Sequence, residues 1–411
     1  MSQHWTFEAD LQQAIAHHQA GRFAQAVALY RQVLARDPGH AASHDNLGHA
    51  LASLGKFDES LLAFQGAIAL EPDNAEFLFN LGYVLTVQGQ FDGAIAAYRK
   101  AIVLKPDFAE AHFRLASVLC ETAHVAESFA HYMRRAELVY GMGRTARPAG
   151  PEPEHKRKHD REQRDYLAGG KAAPNAAEVR DMFHIEDGSR VNGPAVNPAS
   201  ASLALMAEWR KSWPQLVVID DFLTVEALEK LRRYCAGSTI WRRIYQAGYI
   251  GATPEDGLAC PLLAQIAEET RSTFPEILAP HNLRYLGAFK YDSALSTGTN
   301  THADRAAINV NFYIAPDEAN LDPQSGGLDV WDVPVPAGED MRKYNSDEAG
   351  LERFLYSSHA RPTRIPHRAN RAIIFKSNLF HKTSDCHFRE GYLNKRINVS
   401  LLFGDYGAPI K

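Results

Sequence analysis

A period of 34 residues constrains this 411-residue chain before any other feature. Pro38, Pro72 and Pro106 fall at that interval in ARDPGH, ALEPDN and VLKPDF. Four further series keep the step: Leu47, Leu81 and Leu115; Gly48, Gly82 and Ala116; Gly21, Gly55 and Gly89; and Tyr30, Phe64, Tyr98 and Tyr132. Self-similarity of this kind predicts stacked antiparallel helix pairs, each too small to bury its apolar face alone and each completed by its neighbour. The small residues let helices approach closely and the aromatics fill the gaps. The glycines turn the chain between helices, and proline stops the second helix of each pair.

Over about residues 7 to 138 these motifs resemble the tetratricopeptide repeat. Two central units, 41–74 and 75–108, are well kept and the flanking ones are weaker; the early tryptophan of the family is absent, and Ala123 stands where Gly89 stood. The resemblance implies a concave surface that receives a peptide or protein. A role in rigidifying the protein or in self-association is the alternative.

The length exceeds what one core holds, because a single core stops growing beyond about 250–300 residues. A Gly- and Pro-punctuated charged stretch follows Tyr140, so residues 139–213 read as a connector with short helices. Its HKRKHDREQR run interleaves acids with bases and reads as a solvated helix or loop. Lys plus Arg total 44 against 49 for Asp plus Glu, which offers no general attraction to nucleic acid or to a membrane surface. No uninterrupted apolar run approaches a membrane span, and the first residues lack the pattern of an export signal, so a cytoplasmic location is expected. Cys120, Cys235, Cys260 and Cys386 are scattered. A metal site would therefore draw on the 18 histidines and on carboxylates.

The second domain is expected over 214–411. WPQLVVIDDFLTVEALEKLRRYC predicts a strand from Leu216 to Ile219, an acidic turn, and a helix capped by the Thr224 hydroxyl. NLRYLGAFKYDS, DRAAINVNFYIAP, GGLDVWDVPV, RAIIFKSN and NKRINVSLLFG read as strands of a sandwich or jelly roll that encloses a ligand. In THADRAAINV, His302 and Asp304 are two apart and share one face of an extended segment. His381 follows the strand-like RAIIF, and two histidines with one carboxylate make the facial triad of a non-haem Fe(II) oxygenase. His359, His367 and His387 compete for the third position. Arg396 shares a face with Asn398 and Ser400, where a planar guanidinium suits a ligand carboxylate; Lys395 competes with it.

This ordered set resembles the 2-oxoglutarate- and Fe(II)-dependent oxygenases, in particular prolyl-hydroxylase-like members. The likeness covers about 214 to 406, on LVVIDDFLTVEALEKL, His302-Ala303-Asp304, Gly326-Gly327, His381 and Arg396. It implies a double-stranded β-helix with flanking helices, in which His302, Asp304 and His381 bind iron. Arg396, with Ser400, would hold the C5 carboxylate of 2-oxoglutarate, and Tyr291 and Asn311 are further polar groups of the cosubstrate pocket. The implied catalytic set is His302, Asp304, His381 and Arg396, consuming O2 and releasing succinate and CO2. A ligating Asp304 favours hydroxylation over halogenation. The repeats favour a peptide or protein substrate. A small-molecule hydroxylase, or a repeat scaffold with an inactive oxygenase domain, are the alternatives. Residues 316–366 read as a specificity lid or as an elaborated sandwich edge, with Trp331, Tyr344 and Tyr356 assigned to packing.

Overall fold

The computed structural model describes residues 7–141, 152–169, 183–295 and 299–405. Two compact units divide the chain, Met1–Thr122 and Ala123–Lys411.

Among the described residues seven helices make up the first: α1 (Phe7–Gln19), α2 (Phe23–Arg36), α3 (Ala41–Ser53), α4 (Phe57–Leu70), α5 (Ala75–Val87), α6 (Phe91–Leu104) and α7 (Ala109–Glu121). Gly21, Gly55 and Gly89 turn the chain with φ of 71°, 73° and 71°, a left-handed conformation that glycine adopts without strain. The small-residue series explains the spacing of the helices. A Cβ at Gly48 or Gly82 would lie 2.7 Å from the ring of Phe64 or Tyr98, and both rings are buried.

The second unit begins with α8 (Val125–Tyr140) and α9 (Glu154–Ala168), and then carries α10 (Leu203–Lys211), β1 (Leu216–Ile219) and α11 (Val225–Gly237). Next come β2 (Arg243–Ile244), β3 (Tyr249–Ala252), α12 (Pro261–Thr273), α13 (Pro275–Leu278), β4 (Leu283–Tyr291) and β5 (Ile308–Tyr313). The chain ends on β6 (Leu328–Pro334), α14 (Met341–Asn345), α15 (Glu348–Ser357), β7 (Pro362–Ile365), β8 (Ala372–Lys376), β9 (Leu379–Thr383) and β10 (Arg396–Phe403). Thr224 caps α11, its hydroxyl accepting from the Ala227 amide.

The repeat pattern to residue 138 does not form one compact unit, because α8 packs within the second: Tyr140 Oη donates to Asp256 Oδ1 at 2.7 Å, and Arg135 Nη1 to the Glu255 carbonyl at 2.6 Å. Periodicity marks an apolar helix face without saying which neighbour will bury it. Nor is 183–213 a connector, since the Ala195 and Val196 amides both donate to Glu269 Oε2, at 2.7 and 2.9 Å, and the Leu262 amide to the Gly188 carbonyl at 2.9 Å. The charged run becomes α9, yet one face is buried. His159 meets the rings of Trp241 and Tyr392, and Gln163 Nε2 donates to the Ser238 carbonyl.

Among the described residues all strand pairs are antiparallel, in a seven-stranded sheet of order β1-β8-β5-β10-β4-β3-β2 and a three-stranded sheet of order β7-β6-β9. Tyr313, Ile373 and Phe375 of the first sheet meet Leu328, Val330, Ile365 and Leu379 of the second in one core cluster. The chain is thus a helical repeat unit followed by a β-rich unit. Among the described residues no helix is long and apolar enough to cross a membrane.

Two outcomes are expected. Gly82→Ala should destabilise by about 1–3 kcal/mol, because the Tyr98 ring cannot yield. Ala123→Gly should stabilise by about 1 kcal/mol, because Ala123 is held at φ 64°; thermal unfolding of both variants reads this out. The second outcome concerns pH. Burial, then the charge of Lys290, depresses the His159 imidazole to about 3. The unfolded chain takes up that proton near pH 6.5 and the folded chain only near 3, so stability is lost as pH falls through this window. His159→Leu should flatten the stability profile there by up to about 1.4 kcal/mol per pH unit, measured by urea unfolding at several pH values.

Candidate metal centre

Two short backbone hydrogen bonds bring distant parts of the second unit together. The His302 amide donates to the His381 carbonyl at 3.0 Å, and the His381 amide returns a bond to the His302 carbonyl at 2.8 Å. The Asp304 amide donates to the Ser377 carbonyl at 2.9 Å, fastening the other end of the same segment. His302 and Asp304 thereby lie on an extended stretch against β9, with the two imidazole centroids 4.5 Å apart. His381 itself sits on β9, a short strand of the second sheet that sequence patterning did not predict, opposite Val330 of β6.

The ligand atoms of His302, Asp304 and His381 all lie within 4.8 Å of one another. Asp304 Oδ2 is 3.3 Å from His381 Nε2, and Oδ1 is 3.8 Å from His302 Nε2. Each ring is oriented by a carbonyl two residues earlier in the chain. His302 Nδ1 donates to the Asn300 carbonyl at 2.8 Å and His381 Nδ1 to the Leu379 carbonyl at 2.9 Å. A carbonyl only accepts, so the proton is assigned to Nδ1 and each Nε2 lone pair faces Asp304. Asp304 Oδ2 also accepts from Asn309 Nδ2 at 2.7 Å. Burial raises the Asp304 pKa, but a hydrogen bond from His381 and the charges of both imidazoles, which act when the rings are protonated, together with the Asn309 amide outweigh it and bring the carboxyl to about 2. Burial, then the neighbouring His381, lowers the pKa of His302. Two imidazole nitrogens and one carboxylate, each oriented by a second group, fit a first-row divalent cation.

The rival histidines lie elsewhere. His359 and His387 are exposed, and His367 is buried against Tyr313 and Phe388, at centroid distances of 5.2 and 5.0 Å.

A cavity of about 100 Å³ opens beside the triad. Tyr285, Phe289 and Tyr291 line it from β4, Asn309 and Asn311 from β5, and Asn398, Ser400 and Leu402 from β10, with Tyr249, Leu328 and Thr383 also on its wall. The period-two alternation of β5 and β10 turns these polar side chains inward. Ser400 pairs with Asn311 in the register, and its Oγ accepts from Asn311 Nδ2 at 2.9 Å. Tyr291 Oη and Thr383 Oγ1 are 3.3 Å apart. On β5, Asn309 Oδ1, Asn311 Oδ1 and Tyr313 Oη are buried without a hydrogen-bond partner. Buried polar atoms are nearly always satisfied, so such a row on one strand face marks a surface suited to a polar ligand.

Arg396 is fully buried and stands one step behind this wall. Its Nε donates to the Gly326 carbonyl, Nη2 to the Gly327 carbonyl at 3.3 Å, and Nη1 to Asn398 Oδ1 at 2.8 Å. The guanidinium carbon is 4.6 Å from the Tyr291 ring centroid and 5.1 Å from that of Tyr313. Among the described residues no carboxylate pairs with it. Two expectations shift accordingly. Asn398, rather than Ser400, is the polar neighbour of Arg396, because Ser400 lies four residues along the strand, about 13 Å away. Lys395 is excluded as a rival, since it bonds to Asp292 and lies 3.5 Å from Glu162. Of the aromatics assigned to packing, Tyr344 is buried and Trp331 packs against the same cluster, but Tyr356 is 88% exposed. Asn309 and Tyr313 were missed, although the alternating N-x-N-x-Y of β5 carried the signal; Asn398 was placed on the face of Arg396 but given no role.

Models of the tetratricopeptide repeat match residues 11–42, 46–107 and 87–137. No curated protein matches the chain. Solved structures similar to part of it include MamA, at 22% identity over 32% of this chain and 77% of that one, TM-score 0.30. Another is MamA 41-end from Desulfovibrio magneticus RS-1, at 23% identity over 32% and 75%, TM-score 0.32. A third is YrrB, a TPR protein with an unusual peptide-binding site, at 20% identity over 33% and 73%, TM-score 0.29. The amino-terminal region of this chain is a run of tetratricopeptide repeats.

Proposed function

We propose that the β-rich unit is an Fe(II)- and 2-oxoglutarate-dependent oxygenase that hydroxylates its substrate, its two sheets forming a double-stranded β-helix. One observation carries the reading: a two-histidine, one-carboxylate cluster with its donor atoms turned together lines a cavity whose Asn398 accepts from a buried guanidinium, for which no carboxylate partner is found among the described residues. The first half of that arrangement suits a ferrous ion with open positions, and the second suits a carboxylate. A dicarboxylate cosubstrate answers both. When bound, iron and 2-oxoglutarate supply an oxidation that releases succinate and CO2 and places one oxygen atom in a C–H bond of the substrate.

His302, Asp304 and His381 hold the metal, and Asn309 fixes the carboxylate of Asp304. Arg396 attracts the distal carboxylate, with Asn398 as the side chain that shares or yields its hydrogen bond. Tyr249, Tyr285, Phe289 and Leu402 keep water from the reacting volume. The repeats support a peptide or protein as substrate and leave self-association as their other role. The second reading, a repeat-based interaction scaffold with an inactive β-rich unit, is supported by the repeat match, which concerns the amino-terminal region.

Incubation with Fe(II), 2-oxoglutarate and a panel of peptides and metabolites should yield succinate and a product heavier by one oxygen. Asp304→Ala should abolish succinate formation. Arg396→Met should lower kcat/KM for 2-oxoglutarate by roughly 10²-fold, the scale of losing a desolvated charge pair. A folded, iron-supplemented protein that neither binds nor turns over 2-oxoglutarate would leave only the scaffold reading.

A further inference from the structure

The segment between β6 and β7 is built as a separate piece. Asp340 caps α14 by accepting from the Arg342 amide, and Asp347 caps α15 by accepting from the Gly350 amide, both at 2.9 Å. The two short helices therefore satisfy their own amino-terminal donors. Their apolar side chains, Met341, Tyr344, Leu351 and Leu355, form a cluster with Ala303 and Phe380. Ala303 separates His302 from Asp304, and Phe380 precedes His381. The helices are thus packed on the residues that adjoin all three ligands.

Asn345, the last residue of α14, contributes a more directional contact. Its Oδ1 accepts from the Ala303 amide at 3.0 Å and its Nδ2 donates to the Ala303 carbonyl at 2.9 Å. One primary amide thereby occupies both backbone groups of the central residue of His302-Ala303-Asp304, as a neighbouring strand would. A second tie runs from Glu348, whose Oε2 accepts from Asn300 Nδ2 at 3.2 Å; the Asn300 carbonyl is the one that orients the His302 ring. Ala303 has lost both backbone partners a sheet would give it, and Asn345 returns them.

We propose that the α14–α15 insert sets the geometry of the metal ligands, with Asn345 as the positioning residue that fixes the peptide groups between His302 and Asp304. This rests on the metal-site reading above. Asn345 touches neither metal nor substrate; it acts through the backbone of Ala303. The segment is a buttress behind the ligands rather than a cover over the cavity.

The test uses Co(II) as the probe in the full chain, comparing wild type, Asn345→Ala, Asn345→Asp and, as a control on the same helix pair, the exposed Glu352→Ala. Asn345→Ala should weaken Co(II) binding about tenfold, the scale of losing an orienting partner behind a ligand. It should also alter the visible Co(II) absorption envelope and speed hydrogen exchange at the Ala303 amide without metal. Asn345→Asp keeps the acceptor and loses the donor, so its affinity should fall between the two. The metal-free thermal midpoint should fall only slightly below that of Glu352→Ala, as expected for two lost hydrogen bonds. Co(II) affinity and spectrum unchanged in Asn345→Ala, with wild type binding normally, would overturn the inference alone; so would a loss of affinity that only tracks a lowered midpoint. A wild type that binds no Co(II) would remove the metal-site reading and the inference with it. Should Asn345→Ala not fold, Asn345→Asp carries the same comparison.

Discussion

Burying a guanidinium among neutral acceptors is costly, because carbonyl dipoles replace only part of the hydration that the ion gives up. Arg396 is held in that condition by Gly326, Gly327 and Asn398, and much of the surrounding architecture follows from it. The Gly326-Gly327 backbone must come close enough to accept from the side chain, which places the start of β6 and hence the second sheet. Gly327 has no room for a Cβ, which would lie 1.8 Å from the Ile365 carbonyl oxygen. Tyr291 and Tyr313, on the strands to either side of β10, cover the ion with their rings. The stacking is favourable to a desolvated cation and still leaves its charge uncancelled.

The same pairing of strands organises the triad. With β6 and β9 anchored, the reciprocal bonds between His302 and His381 close the gap between the sheets at one point. The polar side chains of β5 and β10 then form a row that leads from the Asp304 carboxylate toward Arg396, Asn309 at one end and Asn398 at the other. Tyr249, Tyr285 and Phe289 supply apolar surface along the same cavity. A low-dielectric wall strengthens each polar contact within it, which is why the unpartnered oxygens on β5 matter more here than they would on a surface.

Signals that depend on neighbours in the chain were readable from the residues. The 34-residue step gave the helix pairs of the first unit, the Thr224 cap gave the start of α11, and alternation gave β4, β5, β8 and β10. The two-residue spacing of His302 and Asp304 placed both on one side of the extended segment. What could not be read depends on partners far away in sequence. β9 is short and contains His381 and Lys382, so it becomes a strand only because β6 pairs with it. The helical pattern of α8 was clear, but its burial by Asp256 and α12 was not. α9 resembled a solvated helix because its composition is charged, whereas the pocket made by Trp241 and Tyr392 accepts His159. Ser400 was favoured through family likeness, and only the folded side chains show Asn398 accepting from the guanidinium and donating on to Ser400. Asn345 belongs to a segment that the residues marked only as a lid or an elaborated sandwich edge, with no indication of its two helices or of what they would meet.

Both imidazoles take their orientation from a carbonyl two positions upstream, within Asn300-Thr301-His302 and Leu379-Phe380-His381. Tautomer and ring plane are therefore carried by a tripeptide and do not wait on a distant carboxylate, as they would if an Asp from elsewhere in the fold had to receive each Nδ1 proton. Such a ligand travels as a self-contained cassette. Sequence drift in the outer helices would alter how the two cassettes are spaced without scrambling either one. A designer wishing to reproduce the site in another antiparallel framework would need to copy two three-residue strings, the bridge that joins them, and Asp304 with its Asn309 partner.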